Sequence, residues 1–155
     1  MIVFKPDRKT RKRFPKIDFR TLSLVYSLLF DSVYKVKKKR TFNITLKVTS
    51  GLYSYYCFQQ SRNVRINISD VIFDEKQFHS TLLHEFRHFV QDKALHIPWS
   101  KKYYDDSTEE KYIASPSEID ADSFTIFTER KVLTLYKRML KFKESISKFN
   151  VFKGN

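Results

Sequence analysis

Residues 84–88 read HEFRH, two histidines four positions apart with a glutamate directly after the first. On a helix, at about 100° per residue, His88 falls about 40° from His84 and one turn along, so both imidazoles leave the same face. That spacing lets two ring nitrogens reach one metal ion at roughly 2.0–2.1 Å. Glu85 falls about 100° round, at the border of that face. There it reaches a water on the metal without displacing it, which is the position of a general base. The chemistry is metal-assisted hydrolysis, and it requires the segment to be helical. The rest of the wheel agrees: Phe78, Leu82, Leu83, Phe86, Phe89 and Val90 take the opposite sector, while Thr81 and Asp92 share the sector of the histidines.

A catalytic zinc needs a third protein ligand and one open position. The metzincin arrangement wants Gly at 91 and His at 94; the chain has Gln91 and Ala94 and is excluded from it. His96 stands about two turns beyond His88, near the predicted helix end and badly placed to curl back. His79 falls on the apolar side and reads as a packed histidine. The candidate third ligand is Glu118, in SPSEIDADSF (115–124). Asp122 follows one turn later on the same face, suited to accept the free ring N–H of a ligating histidine. Ser115-x-x-Glu118 is also a capping box, so Glu118 has a second reading as a helix cap. On that reading Asp120 and Asp122 are acidic residues favoured near the positive end of a helix dipole.

HEFRH followed by EIDAD resembles the gluzincin pattern, H-E-x-x-H with E-x-x-x-D on a later helix. The short length and the run E-x-D-A-D-S-F look most like the small ImmA/IrrE-type metallopeptidases, over roughly residues 60–130. The resemblance implies a small zincin-like α+β domain, one Zn2+ and hydrolysis of peptide bonds in a protein or peptide substrate. Carried over, His84, His88 and Glu118 bind the zinc, Glu85 is the base and Asp122 supports a ligand from behind. The chain departs from the pattern at Arg87, where that family usually has a small residue. Tyr103, Tyr104 and Tyr112, in the loop before Glu118, are candidate donors to the oxyanion.

Several elements must position these residues. A first helix is predicted from about Asp18 to Lys38, with Asp18 as N-cap and Leu22, Val25, Leu29, Val33 and Val36 on one stripe. Period two then takes over in 41–48, in the aromatic run 52–58 and in 63–69. These predict three short antiparallel strands. The strand at 63–69, if it is a sheet edge, would accept a peptide as an added strand. Cys57 reads as a small packed hydrophobe. Asp74, with Gln77 three residues on, opens the helix that carries HEFRH; it runs to about Leu95 and stops before Pro98. A polar loop fills 97–115. Ser115 as N-cap and Pro116 as first residue begin the final helix. That helix carries Ile119, Ile126, Leu133 and Leu140 at strict sevens, with Phe124, Leu135 and Phe142 on another side. Two stripes suit a helix buried on two sides or one that binds a partner chain.

A length of 155 residues suits one domain, here 17–155, preceded by a basic arm at 1–16. The single cysteine excludes an internal disulfide and a cysteine zinc cluster. No apolar run reaches transmembrane length. TLSLVYSLLF (21–30) lacks a small-x-small cleavage site and reads as an amphipathic helix, not a signal segment. The formal charge is +13, unevenly spread: residues 1–50 carry 14 Lys and Arg against 3 acids, 51–129 carry 8 against 13, and 130–155 carry 8 against 1. Basic ends of this kind suit nucleic acid or another polyanion. They define the alternative function, a nucleic-acid-associated or virion-packaged protein with a structural or vestigial zinc. The Lys-, Phe- and Ile-rich, Ala-poor composition is what an AT-rich coding sequence gives, as in a phage. The expected location is intracellular, or the virion for a phage protein.

Overall fold

The segments that alternate at period two form strands, but not in the expected arrangement. A computed structural model describes residues 1–33, 40–57, 62–95 and 115–152. The strands are β1 (Ile2–Pro6), β2 (Phe42–Thr49), β3 (Tyr55–Cys57) and β4 (Asn63–Ser69). The helices are α1 (Arg8–Arg13), α2 (Phe19–Val33), α3 (Glu75–Val90) and α4 (Pro116–Phe152), and a π-helical turn at Gln91–Leu95 continues α3. The class is α+β. Tyr103, Tyr104, Tyr112 and His96 lie outside the described residues.

The expected three-stranded antiparallel sheet is corrected to a mixed four-stranded sheet in the order β1-β2-β4-β3. β1 pairs with β2 in parallel and β2 with β4 in parallel; only β3 runs antiparallel, against β4. Alternation marks a strand with one buried face and is silent about the direction of its neighbour. Parallel neighbours need a crossover. Between β1 and β2 it is α1 and α2; between β2 and β4 the chain passes out and back through β3. Gly51, at φ 143°, makes the turn after β2. The turn is fastened to the end of β4, where Ser69 N–H donates to Ser54 Oγ at 2.7 Å and Ser69 Oγ donates to the Gly51 carbonyl. The strand at 63–69 is therefore interior, and β1 and β3 are the edge strands.

Residues 1–16, expected as a basic arm, hold β1 and α1 instead. Ile2, Phe4 and Pro6 face inward from β1. Asp7 caps α1 by accepting from Thr10 N–H at 2.7 Å. Thr10 is buried and donates onward to the Leu46 carbonyl at 3.1 Å. The short apolar alternation of IVFKP is hidden in the sequence by the cations that follow it.

α2 and α3 cover one face of the sheet, and aromatic side chains fill the space between. Tyr26 of α2 stands edge-on to Phe4 at 5.1 Å and to Phe86 of α3 at 4.8 Å. Phe89 meets Phe42 at 5.3 Å. Offset and edge-on aromatic pairs add about 0.5–1.5 kcal/mol each beyond the area they bury. The caps read from sequence are present: Asp18 Oδ1 accepts from Arg20 and Thr21 N–H at 3.0 Å, and Asp74 Oδ1 from Gln77 N–H at 2.8 Å.

α4 spans 37 residues, roughly 55 Å at 1.5 Å per residue. It buries Ala121, Thr125, Val132 and Tyr136. Tyr136 Oη accepts from Asp18 N–H at 2.8 Å, and Lys143 pairs with the Asp18 carboxylate. The two apolar stripes flank this buried line: Ile126 and Phe142 remain 75% and 69% exposed. Among the described residues no helix is long and apolar enough to cross a membrane.

Candidate metal centre

α3 presents its apolar side to the sheet and turns the other toward the start of α4. The HEFRH residues sit where these two helices meet. His84 Nε2 and His88 Nε2 lie 3.1 Å apart. The Glu118 carboxylate, from the first turn of α4, reaches both: Oε2 is 3.0 Å from His84 Nε2 and Oε1 is 3.2 Å from His88 Nε2. Ligands at 2.0–2.1 Å in a tetrahedral site stand roughly 3.3 Å from one another, so the three residues already hold near-coordinating separations. His84, His88 and Glu118 thus form a cluster that can hold a metal ion.

The hydrogen bonds behind the ligands fix which ring nitrogens face the centre. His84 Nδ1 lies 2.9 Å from Asp122 Oδ1, an acceptor, and so carries its proton there. His88 Nδ1 lies 2.9 Å from Gln91 Oε1. The Gln91 amide cannot be turned round, because its Nε2 donates to the Ser117 carbonyl at 2.9 Å and to Asp120 Oδ2 at 2.7 Å. Both Nε2 lone pairs therefore point at each other and at a carboxylate. The two Nε2 atoms and the two Glu118 oxygens, at 3.0–3.2 Å, call for a shared positive charge, which a proton on His84 or a metal ion supplies, and two imidazoles with one carboxylate are a set that a divalent metal takes. The donor set fits a metal for this reason.

Asp120 ties the two helices together. Its carboxylate takes a two-pronged ion pair from Arg87, Nε at 2.7 Å and Nη2 at 2.9 Å. The Arg87 guanidinium also lies over the Phe124 ring, 4.8 Å from its centroid. Arg87, Gln91 and Asp120 were not singled out as site residues by sequence. The signals present were Gln91 at i+3 from His88 and the large cation where the resembled family has a small residue. The π-helical turn begins at Gln91, which is fully buried.

Glu85 is 5% exposed beside the histidines. Burial pushes its carboxyl up to about 7, against the pull of His88 and His84 and a hydrogen bond from the Tyr56 backbone N–H of β3. For His84, burial opposes the charged form, but Glu118, Glu85 and Asp122 outweigh it and hold its pKa above the usual value. Glu118 is 6% exposed, and its backbone N–H points at Ser115 Oγ, 3.4 Å away. Ser115 thus faces the first turn of the helix while the Glu118 carboxylate faces the histidines. His79 is buried against Tyr136, ring centroids 5.0 Å apart, and is not part of the cluster.

A cavity of about 320 Å³ opens on His84 and Glu85. Tyr53 and Ser54 from the turn before β3, Thr81 from α3, and Asp122 and Thr125 from α4 help to wall it.

The chain matches no protein-family profile, no curated protein and no solved structure. The fold and the site define an α+β protein whose His84, His88 and Glu118 can bind a metal ion.

Proposed function

We propose that the chain is a zinc-dependent metallopeptidase, with Glu85 as its general base. Two imidazole nitrogens and one carboxylate, with a cavity beside them, are a donor set suited to catalytic zinc with an open position. Zinc bound there would supply Lewis acidity toward a peptide carbonyl and bring a water near neutral pKa. Glu85 takes a proton from the attacking water and delivers it to the leaving amine. Its carboxylate stands beside the ligands, in reach of a water on the ion, which suits both transfers. The Tyr56 N–H holds Glu85 in place from the edge strand. A substrate peptide enters the cavity between the 51–54 turn and α3, where β3, not β4, is the strand edge beside the site.

The observation that carries the reading is Glu85, a buried carboxylate facing a cavity beside a three-ligand cluster. A metal that only braces the fold needs neither. The test is Glu85→Gln, assayed on zinc-reconstituted protein with a library of quenched fluorescent peptides. Cleavage should fall by about 10²–10⁴-fold while one zinc per chain is retained. Unchanged cleavage in the variant, or failure of the wild type to take up zinc, refutes it.

A further inference from the structure

Among the described residues, α2 and α3 cover one face of the sheet and no helix covers the other, on which Asn67 and Ser69 of β4 are buried. Its outward positions carry Lys5 on β1, Lys47 on β2, Arg65 on β4 and Tyr55 on β3, all exposed. None of the four strands contains an Asp or Glu. The register sets Lys5 beside Thr45, Thr45 beside Arg65 and Arg65 beside Cys57. At about 4.8 Å per strand, Lys5 and Arg65 stand roughly 10 Å apart across Thr45. In the adjacent row Lys47 and Tyr55 are exposed on either side of Asn67, which is buried and donates to Cys57 Sγ at 3.1 Å. Arg65 Nε donates to Cys57 Sγ at 3.4 Å, which holds the guanidinium down against the sheet. Tyr55 is 49% exposed.

The positive track continues off the end of β2. Beyond Thr49 a cavity of about 400 Å³ is walled by Lys9, Lys12 and Arg13 of α1, with Asp70 the acidic residue on its rim. The Asp70 carbonyl accepts from Arg13 Nη2 at 2.7 Å, so Arg13 is engaged there while Lys9 and Lys12 are exposed.

Cations spaced over a sheet with short polar side chains between them complement a phosphate backbone, and an exposed ring among them complements a base. A duplex groove is read by an inserted helix or ribbon, whereas a sheet face receives unstacked bases. We propose that this face binds single-stranded nucleic acid. Lys5, Lys47 and Arg65 contact phosphates, Tyr55 stacks on a base, and Lys9 and Lys12 extend the path. The binding is independent of the metal centre on the other side of the sheet.

The test is fluorescence anisotropy of the full-length chain with a labelled 20-nucleotide mixed-sequence single strand, from low to moderate salt. The duplex of the same sequence and vesicles containing phosphatidylserine are run alongside. The single strand should bind more tightly than the duplex. Lys5→Gln, Lys47→Gln and Arg65→Gln combined should reduce the slope of log K against log salt by about 2, at roughly 0.7 per phosphate contact. Tyr55→Ala should weaken binding about tenfold with the slope unchanged. The charge-keeping set Lys5→Arg, Lys47→Arg and Arg65→Lys should bind as the wild type does, which separates loss of charge from loss of fold. An unaltered slope in the glutamine variant overturns the proposal, as does tighter binding to the duplex, or binding to vesicles with none to the strand.

Discussion

At the scale of single residues, the site turns on which atoms of two histidines are free to bind. Asp122 and Gln91 each accept a ring N–H and so commit both Nε2 atoms to the space shared with Glu118. The i,i+4 spacings in HEFRH and in Glu118–Asp122 carry the pairing of the histidines and the part of Asp122 in the sequence, because each pair lies on one helix; the part of Gln91 is seen only in the fold. Whether Glu118 turns toward Ser115 or toward the histidines was not written locally. It depends on where α4 docks on α3, a long-range fact. Glu118→Ala should abolish stoichiometric metal uptake after dialysis, read as metal per chain by mass spectrometry. A variant that keeps its metal and loses only helix stability would return Glu118 to a capping role. Gln91→Leu keeps the volume and removes the bond to His88 Nδ1. Metal affinity should fall about 10- to 100-fold in a competition titration with a chromophoric chelator.

At the scale of elements, the starts of the helices were more legible than the strand order. Asp18, Asp74 and Ser115 sit where their types predict, since an N-cap is a local hydrogen bond. Strand order is not legible because β2 and β4 share an alternation that antiparallel strands would show equally, and because β1 is short and followed by a run of cations. α3 also carries an element of pH sensitivity away from the His84, His88 and Glu118 cluster. His79 is buried against Tyr136, and desolvation first, with Lys137 second, lowers its pKa to about 4. The unfolded chain takes up this proton near 6.5 and the folded chain only near 4. In that window the unfolded state binds more protons, so stability is full above about 6.5 and declines as pH falls, by up to about 1.4 kcal/mol per pH unit. His79→Phe fits among Phe78 and Tyr136 and should flatten this slope, measured as the wild-type minus variant difference in urea midpoints from pH 7 to 4. A difference that does not change with pH would show that His79 is not the group responsible.

At the scale of the whole molecule, one sheet separates two chemistries. The covered face supports α3 and the metal cluster, and the open face collects cations from β1, β2 and β4. The charge excess at the N-terminal end was plain in the sequence. That Lys5 and Lys47 share a sheet face with Arg65 was not, because that required β1 and β4 to pair with β2. The cluster also has a mechanical consequence. His84 and Glu118 are 34 positions apart in sequence. An ion held by both is a crosslink that closes this loop in the folded chain and is absent from the unfolded one. At an ion concentration about a thousandfold above Kd, linkage raises the melting temperature of a chain this size by roughly 10 °C. A chelator should reverse that rise in a calorimetric scan. The same treatment should speed amide hydrogen exchange at the start of α4, since an ion held by His84 and Glu118 would staple that helix to α3.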